Sequence, residues 1–144
     1  MVTICALKHG CYFEKQPKFR TIVENEIINI QRYFTNITIP HSVVMPNHIH
    51  AIISIKNKVE GITLGRIIGV FKGKTINKWL KIIKKEKINE IGCIWQRNYF
   101  EHRIRNEEEF EKCKKYIELN PMRWKQDKYN PDNLKCRGAA RRRP

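Results

Sequence analysis

Two histidines separated by one residue, His48 and His50, are the residues of this sequence best placed to bind a metal ion. They open an apolar stretch that is predicted to be a β-strand, and side chains two positions apart on a strand point to the same face. Both imidazoles can then meet one divalent ion, while Ile49 points the other way, into the core. The alternative is that they are two polar residues at a strand entrance that hydrogen-bond the turn.

A tyrosine and an asparagine further along the chain form a second candidate group. Tyr116 and Asn120 are four residues apart, so on a helix they share one face. A tyrosine hydroxyl can attack a phosphodiester if its proton is removed and a metal polarises the phosphate, and the Asn120 amide oxygen could complete a site begun by two histidines. Pro121 disfavours helical geometry before it, so Asn120 is expected just past the regular helix. The alternative for Tyr116 is a half-buried core residue.

The elements that must position these groups are predicted in the order β-α-β-β-α-β-α. They are expected at residues 2–13, 21–34, 37–44, 48–55, 64–85, 94–104 and 107–119. This order begins as a ferredoxin-like split βαβ sandwich would, which predicts an α+β fold.

Capping signals set the expected helix boundaries. Thr21 and Glu24 form a capping-box pattern at the start of the first helix, and Asn106 is placed to cap the last one, which opens with three acidic residues. Gly69 and Gly73 weaken the prediction that the long middle helix is unbroken.

The charge balance favours a polyanionic partner. Lys and Arg total 29 against 14 for Asp and Glu, a formal net charge of +15 in 144 residues. Nucleic acid is the commonest such partner, because each neutralised phosphate releases counterions; a ribosome-like RNA binder and an anionic-membrane binder are alternatives. The candidate DNA-binding residues are Arg66, Lys72, Lys74, Lys78, Lys81, Arg97 and Arg103. The residues of this list from Arg66 to Lys81 lie on the predicted middle helix, and the alternative for them is an ordinary solvated helix face.

Two aromatic residues beside this basic surface, Trp95 and Tyr99, are candidates for stacking on unpaired bases. Core packing is the alternative for Trp95.

Cysteine usage and hydropathy bear on location. The five cysteines are odd in number and form no C-x-x-C pair, which indicates free thiols in a reducing compartment. The N-terminus does not match a signal peptide, and no apolar run approaches the roughly 20 residues that span a bilayer. A cytoplasmic protein without a membrane partner is expected.

Three sequence blocks, taken together, resemble one family. They are Met45-Pro46-Asn47-His48-Ile49-His50, Trp95-Gln96-Arg97-Asn98-Tyr99-Phe100-Glu101-His102 and Tyr116-Ile117-Glu118-Leu119-Asn120-Pro121. Their order and spacing resemble the signature blocks of the REP-associated tyrosine transposases, small insertion-sequence transposases of the single-tyrosine HUH endonuclease superfamily. Lys72, after Phe71, also matches a position that is typically basic in that family.

The resemblance implies a fold, a site and a reaction. The fold would be a ferredoxin-like antiparallel sheet with helices on one face, and His48, His50 and Asn120 would hold Mg²⁺ or Mn²⁺. Tyr116 would cut single-stranded DNA that carries a hairpin, leaving a 5′-phosphotyrosine and a free 3′-hydroxyl that can later rejoin a strand. The protein would act as a monomer or homodimer.

The C-terminal end departs from the family pattern. The transposase domain is expected at residues 1–124 and a polar, basic, loosely ordered tail at 125–144, with Lys135–Pro144 as an unrelated or degraded end. A non-catalytic nucleic-acid-binding domain derived from a decayed transposase is therefore the rival interpretation. The presence of every residue type that the chemistry needs favours the enzyme.

Overall fold

The computed structural model of the chain describes residues 1–57 and 59–134. In order, its elements are β1 (Val2–Cys5), α1 (Tyr12–Lys15), α2 (Pro17–Tyr33), β2 (Ile37–Val44), β3 (His48–Ile55), α3 (Leu64–Glu86), β4 (Phe100–Glu101) and α4 (Glu107–Leu119). Short 3-10 helices follow β1 and α4, at Leu7–His9 and Pro121–Gln126. Within these residues, no helix combines the length and apolar character that crossing a bilayer requires.

The four strands form one antiparallel sheet in the order β2-β3-β1-β4. The register of the two central strands places Thr3 opposite His50 and Cys5 opposite His48. Alternation along β3 then sends Ile49 and Ala51 into the main core, as expected. The α+β, ferredoxin-like fold predicted from the sequence is confirmed.

The helices divide between the two faces of the sheet. α2 and α3 pack on the face that carries Ile49. α4 lies on the other face, where Cys113 and Ile117 pack against Ile52 of β3. The expectation of helices on one face therefore holds for α2 and α3 only. Because Ile52 has the same strand parity as His48 and His50, α4 shares its face with the histidine pair.

Two N-terminal boundaries differ from the sequence prediction. β1 ends at Cys5, because the chain turns through Lys8 and His9, both with φ of 52°. α2 begins at Pro17, which occupies its first turn, and not at Thr21. The Thr21 hydroxyl donates to the Pro17 carbonyl from inside the helix, so the predicted capping box is wrong.

The later helices follow the prediction closely. α3 runs unbroken through Gly69 and Gly73, where an added Cβ would meet open space, and buried apolar side chains such as Phe71 and Trp79 hold it to the core. α4 begins after Asn106, whose side chain accepts a 2.8 Å hydrogen bond from the Glu109 amide. This cap is confirmed.

The strand expected at residues 94–104 is reduced to the two residues of β4. Trp95 makes only an isolated bridge to Ala6 and packs in an aromatic cluster with Phe13 and Phe71. The next three carbonyl groups, from Gln96 to Asn98, accept hydrogen bonds from the Lys72 ammonium group and not from a neighbouring strand.

Residues expected to begin a loose tail instead continue the fold. Asp127, Tyr129 and Asn130 are buried, and the Asn133 amide donates to the carbonyls of Lys125 and Asp127. The ordered domain thus extends past residue 124, at least to Leu134. The predicted end at 135–144 lies outside the described residues. The four cysteines within the described residues are free thiols, as expected.

Candidate active site

The histidine pair sits at the start of β3, on the face that α4 covers. His48 and His50 are both almost completely buried, and their Nε2 atoms are 3.0 Å apart. The tight turn that precedes β3 and the pairing of β3 with β1, the two central strands, hold both rings on one face of the sheet at the start of β3. The two imidazoles therefore converge as the spacing of the sequence predicted.

The outer ring nitrogens are held by buried side chains. His48 Nδ1 lies 2.8 Å from Asn47 Oδ1, and His50 Nδ1 lies 2.8 Å from the Thr3 hydroxyl. The Asn47 amide nitrogen donates to the carbonyls of His9 and Tyr129, which fixes the orientation of the amide. Its oxygen can only accept, so His48 carries its proton on Nδ1 and a lone pair on Nε2.

Both imidazoles are kept neutral by their surroundings. Burial is the main cause that lowers the pKa of His48 to about 2, and unfavourable electrostatic interactions with His50, His9 and Lys128 lower it further. Burial, followed by Lys128, lowers the pKa of His50 to about 4. Neutral imidazole is the form that binds metals, so the pair is ready to act as ligands at physiological pH.

Tyr116 reaches the histidine pair from α4. Its ring packs edge-on against His50, with ring centroids 5.1 Å apart. The side chain is 40% exposed, in contrast to the buried histidines. The tyrosine thus stands at the border between the buried pair and solvent, where a substrate could reach it.

A cavity of about 230 Å³ opens beside Tyr116. It is lined by Tyr116, Asn120, Arg123, Gln126, Asp127 and Lys128. Asn120 is buried and lies just past the end of α4 at Leu119, as expected, although its backbone keeps helical angles, φ −58° and ψ −44°. The predicted pair of Tyr116 and Asn120 therefore faces one cavity.

An acidic residue that the sequence analysis missed also lies here. Asp127 Oδ2 is 3.6 Å from His48 Nε2, and the Asp127 side chain is 4% exposed. Burial raises the pKa of this carboxyl group, while the Tyr129 amide and Lys128 partly oppose that rise. No local pattern in the sequence marks Asp127, because its partner is in β3 and the contact depends on the path of the chain after α4.

The donor set fits a divalent cation. One ligand atom each from His48, His50 and Asp127 lie within 4.8 Å of one another. Mg²⁺ prefers octahedral coordination at about 2.1 Å, which puts two adjacent ligands about 3.0 Å apart. The separation of the two Nε2 atoms matches that value.

Most of the predicted DNA-binding residues lie on α3, away from the histidine pair and Tyr116. α3 packs on the sheet face opposite the histidine pair, and several of its cations have partners within the protein. Lys72 donates to the Gln96 carbonyl at 2.7 Å, Lys78 pairs with Glu26, and Lys74 lies 4.5 Å from the centroid of the Tyr33 ring. Arg66 donates to the Gly61 carbonyl.

The remaining cations differ in exposure and position. Lys81, Arg97 and Arg103 are exposed. Trp95 is buried in the core, so the core interpretation is correct for it. Arg123 and Lys128, which the sequence analysis did not select, line the cavity beside Tyr116. Lys128 lies in the segment that was expected to begin the tail, and Arg123 lies just before it.

Comparison with known proteins finds a similar fold and a similar sequence. A solved structure of a REP-associated tyrosine transposase bound to a REP hairpin matches with a TM-score of 0.60 and 22% identity. The match covers 85% of this chain, and the chain spans 65% of the length of that protein. An uncharacterized protein of Haemophilus influenzae is 31% identical over 157 residues, which is 91% of this chain and 84% of that protein.

The family match covers the four site residues that the sequence predicted. Residues 12–120, which run from α1 through β3 to the end of α4, match the family described as "Transposase IS200 like". That span holds the histidine pair, Tyr116 and Asn120. On this match, the chain belongs to the IS200-like transposase family.

Proposed function

We propose that this protein cuts and rejoins single-stranded DNA through a covalent bond to Tyr116. The observation that carries the proposal is the contact between the half-exposed Tyr116 ring and the buried His50 ring, 5.1 Å between centroids. A structural tyrosine does not require two neutral, buried imidazoles beside it. They suit a nucleophile, because the imidazoles can hold an ion that activates a phosphodiester.

The reaction conserves one phosphodiester bond at each step. The Tyr116 oxygen attacks the scissile phosphorus and loses its proton to solvent, and the bond from phosphorus to the 3′-oxygen of the preceding nucleotide breaks. The departing 3′-oxygen takes a proton from solvent, so the products are a 5′-phosphotyrosine and a free 3′-hydroxyl. Attack by a 3′-hydroxyl on the phosphotyrosine rejoins DNA and restores the tyrosine, so no external energy source is needed.

His48, His50 and Asn120 would hold Mg²⁺ or Mn²⁺. When bound, the ion supplies Lewis-acid stabilisation of the charge on the phosphate oxygens. Asn47 and Thr3 orient the two rings so that the Nε2 atoms face one point. Their role is positioning, since neither side chain lines the cavity beside Tyr116.

The DNA is proposed to run along the α4 face of the sheet. Arg123 and Lys128 line the cavity and would bind the phosphate that is cut. Phe100 is 59% exposed, and its register with Thr3 puts it on the same face as His50, where its ring is 6.4 Å from Tyr129. It would stack on an unpaired base, in place of the buried Trp95.

A DNA hairpin is the proposed feature of the substrate. A protein with a similar fold has been solved with a REP hairpin. Lys81, Arg97 and Arg103 are exposed cations that would bind phosphates of a hairpin stem, away from the point of cleavage. Every group that the reaction uses belongs to one chain, so a monomer suffices.

The polarity of the covalent link tests this function. A single-stranded hairpin is labelled at either its 5′ or its 3′ end and incubated with the protein and Mn²⁺. The 3′ label should move with the protein on a denaturing gel, and the 5′ label should appear in a shorter free strand. Transfer of the 5′ label to the protein would contradict the proposed chemistry. Hairpin binding without cleavage would favour the non-catalytic rival.

A further inference from the structure

We infer that Asp127 is an additional, anionic ligand of the divalent ion, delivered by the segment that follows α4. The inference rests on the proposed function, because it concerns the same ion. It differs from the set of His48, His50 and Asn120, in which every ligand is neutral.

The hydrogen bonds around His48 leave no donor on its ring to face Asp127, which favours a cation between the two side chains. Asn47 fixes the His48 proton on Nδ1, so Nε2 presents a lone pair. Asp127 Oδ2, also an acceptor when the carboxyl group is ionised, lies 3.6 Å from that lone pair. Two facing acceptors repel each other at this distance, and 3.6 Å is too long for a hydrogen bond through a shared proton. A cation bound by both atoms removes the conflict.

No side chain among the described residues supplies that cation. His50 Nε2 is also a ligand atom of the group, and no Lys or Arg nitrogen in residues 1–57 and 59–134 forms an ion pair with Asp127. Lys128 is the neighbouring candidate, but its Nζ lies over the Tyr129 ring, 4.9 Å from the centroid. A carboxylate that is 4% exposed and lacks a cationic partner is costly unless an ion binds there.

The Asp127 side chain is held in place by the segment around it. Its Oδ1 accepts a 2.7 Å hydrogen bond from the Tyr129 amide, which leaves Oδ2 free to face His48. The Asn133 amide binds the Asp127 carbonyl, and the Asn47 amide binds the Tyr129 carbonyl. Asn47 therefore orients His48 and also anchors the turn that carries the carboxylate. This arrangement makes a preorganised ligand, which a loose tail could not provide.

An anionic ligand suits the expected ions. Mg²⁺ and Mn²⁺ are hard cations that prefer carboxylate oxygen, and a site made only of imidazole and amide groups is unusual for them. Asp127 adds one negative charge within 4.8 Å of both imidazoles. It should raise the affinity for the ion before any DNA phosphate arrives.

The test is Mn²⁺ binding by the full chain without DNA, measured from the electron paramagnetic resonance signal of free Mn²⁺. Asp127→Asn keeps an oxygen that can accept from the Tyr129 amide, so the turn is preserved while the charge is lost. The matched control is Asp132→Asn, an exposed acidic residue of the same segment. Asp127→Asn should weaken Mn²⁺ binding roughly tenfold or more, and Asp132→Asn should not change it.

Thermal unfolding with EDTA, compared with excess Mn²⁺, is the second readout. Mn²⁺ should raise the melting temperature of the wild type and of Asp132→Asn more than that of Asp127→Asn, because ligands that bind only the folded state stabilise it.

Equal Mn²⁺ affinity and an equal thermal shift for Asp127→Asn and wild type would overturn the inference. If His48→Ala still abolished binding in that case, the proposed metal-dependent function would stand without Asp127. Absence of Mn²⁺ binding by the wild type, with and without hairpin DNA, would overturn the metal-dependent function and this inference together.

Discussion

Nε2 of His48 and Nε2 of His50 lie 3.0 Å apart in the interior of the protein, with the opposite nitrogen of each ring bound to a buried side chain. This separation is that of two adjacent ligands on one octahedral ion. β1 and β3 set it through their register, because Thr3 pairs with His50. The proposed ligand geometry is therefore set by the two central strands of the sheet, and not by a loop.

Burial of the histidine pair predicts acid sensitivity of the metal-free protein. Their folded pKa values, about 2 and about 4, lie below the unfolded value of 6.5, so the unfolded chain takes up protons that the folded chain excludes. The stability is fully present above pH 6.5 and is lost as the pH falls toward 4 for His50 and toward 2 for His48. Below pH 6.5, each histidine should lower the free energy of unfolding by about 1.4 kcal/mol for each pH unit.

Urea unfolding in EDTA between pH 7.5 and pH 5 measures this loss. A double variant, His48→Gln with His50→Gln, is the control, since the other histidines titrate equally in both proteins. The free energy of unfolding should fall more steeply for the wild type. Equal slopes for the two proteins would show that the pair is not held neutral.

Asn47 is predicted to support both the metal site and the C-terminal turn. Asn47→Ala removes the partner of His48 Nδ1 and of the carbonyls of His9 and Tyr129. It should lower the free energy of unfolding by about 1–3 kcal/mol and weaken Mn²⁺ binding roughly 10–100-fold. Asn77→Ala, at an exposed position of α3, is the control. Unchanged Mn²⁺ affinity in a folded Asn47→Ala protein would contradict the positioning role.

Lys78 is predicted to stabilise the fold through its pairing with Glu26, more than it contributes to DNA binding. The Glu26 side chain is only 1% exposed, so Lys78→Ala leaves a buried carboxylate unpaired. Because the Lys78 side chain is 49% exposed, the expected cost is about 1–2 kcal/mol, less than for a fully buried pair. Adding Glu26→Gln should recover most of this stability, as measured by urea unfolding. Failure of that rescue, with weaker DNA binding at full stability, would favour the DNA-binding role predicted from the sequence.

Arg123, at the cavity, and Lys81, on α3, are predicted to affect different steps: the cleavage rate and the DNA affinity. Arg123→Ala, in the cavity beside Tyr116, should lower the cleavage rate at saturating DNA more than it lowers affinity. Lys81→Ala should lower affinity, reduce its salt slope by about 1 and leave the saturated rate unchanged. Lys15→Ala serves as a charge-matched control. If Arg123→Ala lost DNA affinity without any loss of cleavage rate, Arg123 would be a general phosphate-binding residue and not a residue of the cleavage point.

Local patterns predicted the parts of the structure that local forces determine. The bounds of β2 and β3 are as expected, and the Asn106 cap and the run of α3 follow from side chains close in sequence. Helix α2 was misjudged because Pro17, in its first turn, starts the helix before Thr21.

The features that the sequence did not predict have one physical cause: they depend on contacts between residues far apart in the chain. Asp127 approaches His48 only because the turn after α4 is anchored by Asn47. β4 is short because Lys72, on α3, takes the carbonyls that a longer strand would have used. The convergence of Tyr116 with His50 was expected from the family resemblance, whereas no spacing rule indicated Asp127.

The most direct test of the proposed function is the identity of the residue that becomes linked to DNA. Wild-type protein, incubated with a single-stranded hairpin and Mn²⁺, would be digested with nuclease and protease and examined by mass spectrometry. Tyr33→Phe is the matched control for Tyr116→Phe, since Tyr33 is a comparably exposed helical tyrosine and phenylalanine keeps its ring beside Lys74. A nucleotide adduct is expected on the peptide that contains Tyr116, present in Tyr33→Phe and absent in Tyr116→Phe or with EDTA. An adduct that persists in Tyr116→Phe, or hairpin cleavage without any adduct, would contradict it.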